Sequence, residues 1–190
     1  MGVTLVILAY FLLNHPRGAA HNLQTAFDTH WPFMPVLAIP YLLTLPVFWL
    51  TLLYGAWQNK KFEALTATVI ITYSLSYLIF FVFQTHVVRP ADTAPGFLDG
   101  LVRAIYSHDP PYNAFPSLHV AMAVILGFYF YQIKSRWLWL VAVFSVLVIL
   151  STLFIRQHYI LDVIGGLMLS ATVSYVCFRK IGIINSTIKN

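Results

Sequence analysis

Five stretches of this 190-residue chain are almost free of charge and approach the length of a bilayer crossing: Val36–Trp57, Phe62–Phe83, Pro116–Ile133, Trp137–Ile155 and His158–Phe178. Roughly 20 apolar residues are needed to cross the hydrocarbon core as a helix. A sixth stretch, Val3–Leu13, is short for a span, although a thin or locally deformed bilayer could accommodate it. It has no basic leader and no small-residue cleavage site, so it reads as a retained helix rather than a signal peptide. The pattern predicts an all-α integral membrane bundle of about six transmembrane helices, at about 3–13, 36–57, 62–83, 116–133, 137–155 and 158–178, forming one domain over residues 1–190. Pro40 and Pro46 should kink the second span, where neighbouring helices can satisfy the freed carbonyls. No internal repeat or low-complexity segment is visible.

Two connections stand out. Asn14–Pro35 is polar and aromatic, with Asp28, His30, Trp31 and Pro32, and is expected to lie along the membrane surface. Gln84–Phe115 is the longest, holding Arg89-Pro90, Asp92, Asp99, Arg103, His108 and the stiff Asp109-Pro110-Pro111. Loops of that length are usually functional or disordered, and the aromatic and proline content points to order.

Composition agrees with the pattern. Hydrophobic residues make up 59% of the chain and charged ones 9%, with a mean hydropathy of +0.77, whereas a soluble domain carries about a quarter charged residues. The net charge of +5 would suit nucleic acid, but the basic residues are scattered near the ends of apolar runs. Membrane orientation explains them better, so no nucleic-acid partner is expected. With six spans, Lys60, Lys61, Lys134, Arg136, Arg179, Lys180 and Lys189 fall on one side and Arg17, Arg89, Arg103 and Arg156 on the other. Seven against four places the first side, with both termini, in the cytoplasm. All seven histidines and five of the six acids then face outward, and the expected location is the cytoplasmic (inner) membrane. Cys177 is the only cysteine, which rules out an intramolecular disulfide and a cysteine metal cluster.

The candidate chemistry sits in two polar clusters. In Tyr112-Asn113-Ala114-Phe115-Pro116-Ser117-Leu118-His119, Pro116 suits the first helical position. The N–H groups of Ser117, Leu118 and His119 would then point out unpaired at the positive end of the helix dipole, a cradle for phosphate. His119 lies beside it as a proton donor, with the Ser117 hydroxyl. The second cluster is Arg156-Gln157-His158-Tyr159-Ile160-Leu161-Asp162. On a helix His158 and Asp162 would share a face, and the carboxylate would take one imidazole N–H and raise the basicity of the other nitrogen. Asp162 also lies inside a strongly apolar segment, where an ionisable residue is a functional hypothesis by default.

On Pro116-Ser117-x-His119, Ser151 with His158-x-x-x-Asp162, and Arg89-Pro90, the chain resembles the type 2 phosphatidic acid phosphatase superfamily, whose core is shared with vanadium haloperoxidases. The resemblance implies that His158 attacks phosphorus and becomes phosphohistidine while Asp162 holds its far nitrogen. It implies that His119 protonates the departing lipid oxygen, and that Arg89, Arg156, Ser117 and Leu118 surround the phosphate. No metal or other cofactor is implied. The substrate partner would be a membrane lipid phosphate, met in the lipid bilayer. Two positions depart from the pattern: Val82 stands where the family has a lysine and Thr152 where it has an arginine. Arg156, two residues before His158, is expected to fold back over the Ser117 cradle and supply much of the missing charge, with His86 or Arg103 supplementing the rest. The wording around both histidines resembles a divergent branch that includes inositolphosphorylceramide synthase-like phosphotransferases, so the acceptor is water or an alcohol.

Other polar residues have plainer readings beside the functional ones. Ser151 and Thr152 could touch phosphate or simply bond their own helix, and Asn113 and Tyr112 could be ligands or loop structure. His15, His21, His30 and His108 lack the tight spacing of metal ligands. Gly165-Gly166 reads as close helix packing. The rival functional class is a transporter lined by His119, His158, Asp162 and Arg89. Transporters favour polar residues at the midplane and paired repeats, neither of which is seen.

Overall fold

The computed structural model describes Tyr10, residues 12–59, 61–90 and 95–181, and the backbone alone for 182–187. The fold is all-helical: α1 Ala38–Gln58, α2 Phe62–Val82, α3 Phe97–His108, α4 Leu118–Gln132, α5 Leu138–Phe154 and α6 Ile160–Thr187. Among the described residues, three segments are long and apolar enough to cross a membrane, Pro35–Gln58, Phe62–Val82 and Ile160–Ile181. The expected spans at 116–133 and 137–155 are shorter helices of 15 and 17 residues, or about 22 and 25 Å at 1.5 Å per residue. The remaining one, Val3–Leu13, lies almost entirely outside the described residues.

Helix α4 is apolar on every face, which suits a position at the centre of the bundle. Nine of its fifteen residues are buried. It packs between α5 and α6 and also touches α1 and α2. Phe48 and Leu52 of α1, Leu65 and Tyr73 of α2, and Ile125, Leu126 and Tyr129 of α4 form the main core with Phe178 of α6. The outward faces stay apolar: Leu53, Leu78, Phe81, Val82, Val146 and Met168 are all exposed. That surface suits hydrocarbon, and with its long apolar helices the chain is a membrane protein.

Glycine is required where α4 meets α6. A Cβ on Gly166 would lie 2.6 Å from the Ser117 carbonyl oxygen, and one on Gly165 would lie 2.4 Å from the Phe115 ring. The reading of this pair as close helix packing holds, and the contact falls at the helix ends that carry the two polar clusters.

The long connection read as a loop contains α3. Its Val102 and Ile105 pack with Ala38, Tyr41 and Ile155, while Phe97 and Arg103 face outward. An amphipathic helix of three turns is too short to register as a span, which is why it reads as loop from the sequence. Around it the connections are stitched together. His21–Asn22 (β1) pairs in parallel with Thr85–His86 (β2), Val87 N–H donates to the Pro111 carbonyl at 3.0 Å, and Asn113 N–H donates to that of Thr85 at 2.9 Å. The opposite end has short turns, where Lys61 Nζ donates to Gln132 Oε1 at 2.8 Å.

Candidate active site

Two helix starts are tied to each other. Ser117 is the N-cap of α4, and its hydroxyl accepts from Val120 N–H at 3.3 Å. Its own N–H donates to the Asp162 carbonyl at 3.0 Å. Asp162, in the first turn of α6, is fully buried, and its Oδ2 accepts from Tyr159 N–H at 2.8 Å. His119, in the first turn of α4, and His158, in the extended link before α6, come to rest with ring centroids 6.3 Å apart. Tyr41 stacks on His119 at 4.0 Å.

Two local expectations need correcting. Helix α4 begins at Leu118 because Ser117 takes the cap, so Pro116 lies before the helix. The Ser117 N–H and hydroxyl are both engaged, and the first-turn N–H groups of Leu118 and His119 are the ones without an intrahelical acceptor. Nor does His158 share a helix face with Asp162, since α6 starts only at Ile160. The pair meets across a turn, with Nδ1 3.6 Å from Oδ2, beyond hydrogen-bond range. That contact turns Nδ1 toward the carboxylate and leaves Nε2 as the ring nitrogen not committed to it.

Arg89 reaches the same place from the connection after α2. Its Nη1 donates to the carbonyls of Asp109 at 2.7 Å and Tyr106 at 3.3 Å, and its Nη2 donates to Gln157 Oε1. Its guanidinium lies 4.7 Å over the Tyr106 ring. Burial lowers its pKa from the usual value, and the Asp109 charge opposes that shift. A cavity of about 340 Å³ opens in front of the histidines. His119, His158, Asp109 and Tyr10 are among its polar lining residues, and Leu42, Leu45 and Met122 among its apolar ones. A second void of about 10 Å³, against Arg89 and Gln157, shares Tyr10, Asp109 and His158 with the first.

Arg156 does not fold over the Ser117 cradle. Its backbone takes a left-handed conformation, φ 55°, and its guanidinium donates to the carbonyls of Asp28 and Trp31. Asp28 in turn accepts from Ile160 N–H at 2.8 Å through Oδ1. The Asn14–Pro35 connection is thus latched onto the link that carries His158. Val82 is exposed on the outer face of the bundle and lines neither void.

The other candidates are structural in their contacts. The hydroxyls of Ser151 and Thr152 donate to the carbonyls of Val148 and Ile149, within their own helix. Asn113 lines the cavity, but its Oδ1 accepts from Arg17 and Gln84 and its Nδ2 donates to the Leu13 carbonyl. His86 Nδ1 lies 3.2 Å from the Ala20 carbonyl oxygen. Arg103 is exposed on α3 and lines neither void, and Leu118 lines the larger one.

Three residues at the site were not singled out by sequence. Asp109 accepts from Tyr10 and Tyr41 hydroxyls at 2.7 and 3.0 Å and from Asn14 Nδ2 at 2.8 Å. Tyr41 connects that carboxylate to the His119 ring, and Gln157 connects Arg89 to the His158 link. The one signal available was the clustering of Asp109 with two prolines and of Gln157 with His158. A family model described as PAP2 superfamily matches residues 13–176. No curated protein and no solved structure matches the chain.

Proposed function

The chain belongs to the PAP2 superfamily, and from that membership we propose that it is an integral membrane lipid phosphatase. Membership supports an enzyme of the phosphoric ester hydrolase type. The lipid substrate and the mechanism rest on the site itself. The observation that carries the reading is one cavity of about 340 Å³ whose wall holds both the pair His119 and His158 and the leucines Leu42 and Leu45. A phosphate needs the first and a lipid chain needs the second.

In this reading His158 Nε2 attacks the phosphorus of a phosphomonoester or diphosphate. A P–N bond forms as the P–O bond to the lipid breaks, and His119 gives its proton to the departing oxygen. Asp162, 3.6 Å from His158 Nδ1, stabilises the positive charge the ring gains. Arg89 and the Leu118 and His119 N–H groups face the charge on the phosphoryl oxygens. His119, now neutral, takes a proton from the acceptor, which attacks phosphorus, breaks the P–N bond and restores His158. Water is the acceptor for a phosphatase. A phosphotransferase would use an alcohol in place of that water. The lysine-rich turns support an orientation with the opposite end of the bundle in the cytoplasm and the chemistry facing outward.

A phosphate-release screen over phosphatidate, phosphatidylglycerophosphate and polyprenyl diphosphates, with and without alcohol acceptors, tests the reading. Wild type should release phosphate from at least one of them or transfer it to an alcohol, and His158→Ala should not. A panel without turnover in either mode refutes it.

A further inference from the structure

Among the buried side-chain atoms without a partner are Arg89 Nε and Gln157 Nε2. Both residues line the void of about 10 Å³ beside His158. Gln157 is 3% exposed, so its amide nitrogen is shielded from bulk water. The orientation of that amide is chemically fixed. Arginine only donates, so the atom facing Arg89 Nη2 must be the oxygen. The amide NH₂ is therefore the group left over.

Arg89 is held just as firmly. Its two Nη1 hydrogens serve the carbonyls of Tyr106 and Asp109 and one Nη2 hydrogen serves Gln157. Of five N–H groups, Nε–H and one Nη2–H remain. A buried donor left unpaired costs about 1–3 kcal/mol, and here two such residues border one void. The void admits about one oxygen-sized atom, and it shares Tyr10, Asp109 and His158 as wall residues with the larger cavity.

We propose that Gln157 is a phosphate-binding residue whose carboxamide, with Arg89 Nε–H, holds one non-bridging oxygen of the phosphoryl group that His158 attacks. This rests on the phosphatase reading above. The rest of the phosphoryl group and the lipid occupy the larger cavity. The neutral amide supplies a donor to a site in which Val82 and Thr152 stand in place of family cations and Arg156 is bound to the Asp28 and Trp31 carbonyls. It supplies direction without charge. The niche is consequently selective for an acceptor oxygen rather than for total negative charge.

The deciding variant is Gln157→Glu in the full chain. Glutamate keeps the acceptor oxygen that holds Arg89 and removes the NH₂. If Gln157 only positions Arg89, Gln157→Glu stays within a few-fold of wild type. If the amide binds phosphate, kcat/KM for the best lipid phosphate falls about a hundredfold or more, and inhibition by orthovanadate weakens in parallel while thermal melting in detergent holds. Near-normal turnover in Gln157→Glu overturns the proposal while leaving the phosphatase reading intact; an inactive wild type would instead refute that reading. A measurement on wild type alone covers the case in which the variant does not fold. A phosphorothioate substrate, with its larger and weaker acceptor sulfur, should turn over at least tenfold more slowly than its oxygen counterpart after correction for intrinsic reactivity. Equal corrected rates would also overturn the proposal.

Discussion

Gly166→Ala is the sharpest perturbation of the site that removes none of its polar groups. The new Cβ would stand 2.6 Å from the Ser117 carbonyl oxygen, against an ordinary contact of 3.4 Å or more. The two helix starts must therefore separate by about 0.8 Å, the difference between those distances. Ser117 cannot turn its carbonyl aside cheaply, because that oxygen accepts the Ala121 N–H at 3.0 Å and begins the α4 ladder. Its N–H is tied to Asp162 as well, so the shift passes to His119 on one side and to the His158–Asp162 pair on the other. Overpacking of this kind costs about 1–3 kcal/mol. At about 2–4 °C per kcal/mol for a chain of this size, melting should fall by about 2–12 °C. Displacements approaching 1 Å at a reacting pair lower turnover by up to about a hundredfold. Lipid-phosphate turnover and melting in detergent are to be read together. Gly100→Ala is the control: its Cβ would meet only Arg103 Nη2 at 3.6 Å, and it should leave turnover unchanged. Gly166→Ala with wild-type turnover and melting would refute the reasoning.

Three further outcomes are expected. Arg156→Ala should lower melting by several degrees, because two charge-assisted bonds worth about 1.5–3 kcal/mol each are lost; its affinity for orthovanadate should persist, and unchanged melting with lost vanadate affinity would make Arg156 a phosphate ligand instead. His119→Ala should be partly rescued by a substrate with a very good leaving group, which needs no proton, whereas His158→Ala should not; equal loss on both substrates would contradict the assigned roles. In sealed vesicles an impermeant thiol reagent should label Ser107→Cys from the extracytoplasmic face and Arg136→Cys only from the cytoplasmic face, against the buried Cys177 as background; the reverse pattern would invert the orientation.

What the sequence disclosed follows from the range of the interactions involved. The apolar runs announce helices, and Pro116-Ser117-x-His119 and His158-x-x-x-Asp162 announce two helix mouths, because each is local. That the two mouths meet depends on Gly166 fitting against Ser117, which only the packed bundle reveals. Arg156 shows the limit of proximity along the chain. It is two residues from His158, yet a left-handed turn sends its side chain to Asp28 and Trp31, more than a hundred positions away. Gln157 and Asp109 were invisible for the opposite reason. Their contacts at the site are long-range, Gln157 with Arg89 and Asp109 with Tyr10 and Tyr41, and nothing in either neighbourhood hints at those partners. The short helix α3 was hidden because its apolar stripe is one-sided and only three turns long.

The central claim, that His158 carries the phosphoryl group, is tested most directly by trapping the intermediate. Protein mixed with a lipid substrate labelled at the reacting phosphorus and quenched within milliseconds should carry label that is stable to alkali and lost in acid, as a P–N bond to histidine is. Peptide mapping should place the label on His158. The label should disappear on adding the acceptor or on changing His158 to Ala, and should persist longer in His119→Ala with a good leaving group, because activation of the acceptor is slowed. Label that survives acid, maps elsewhere or persists in His158→Ala would contradict the account.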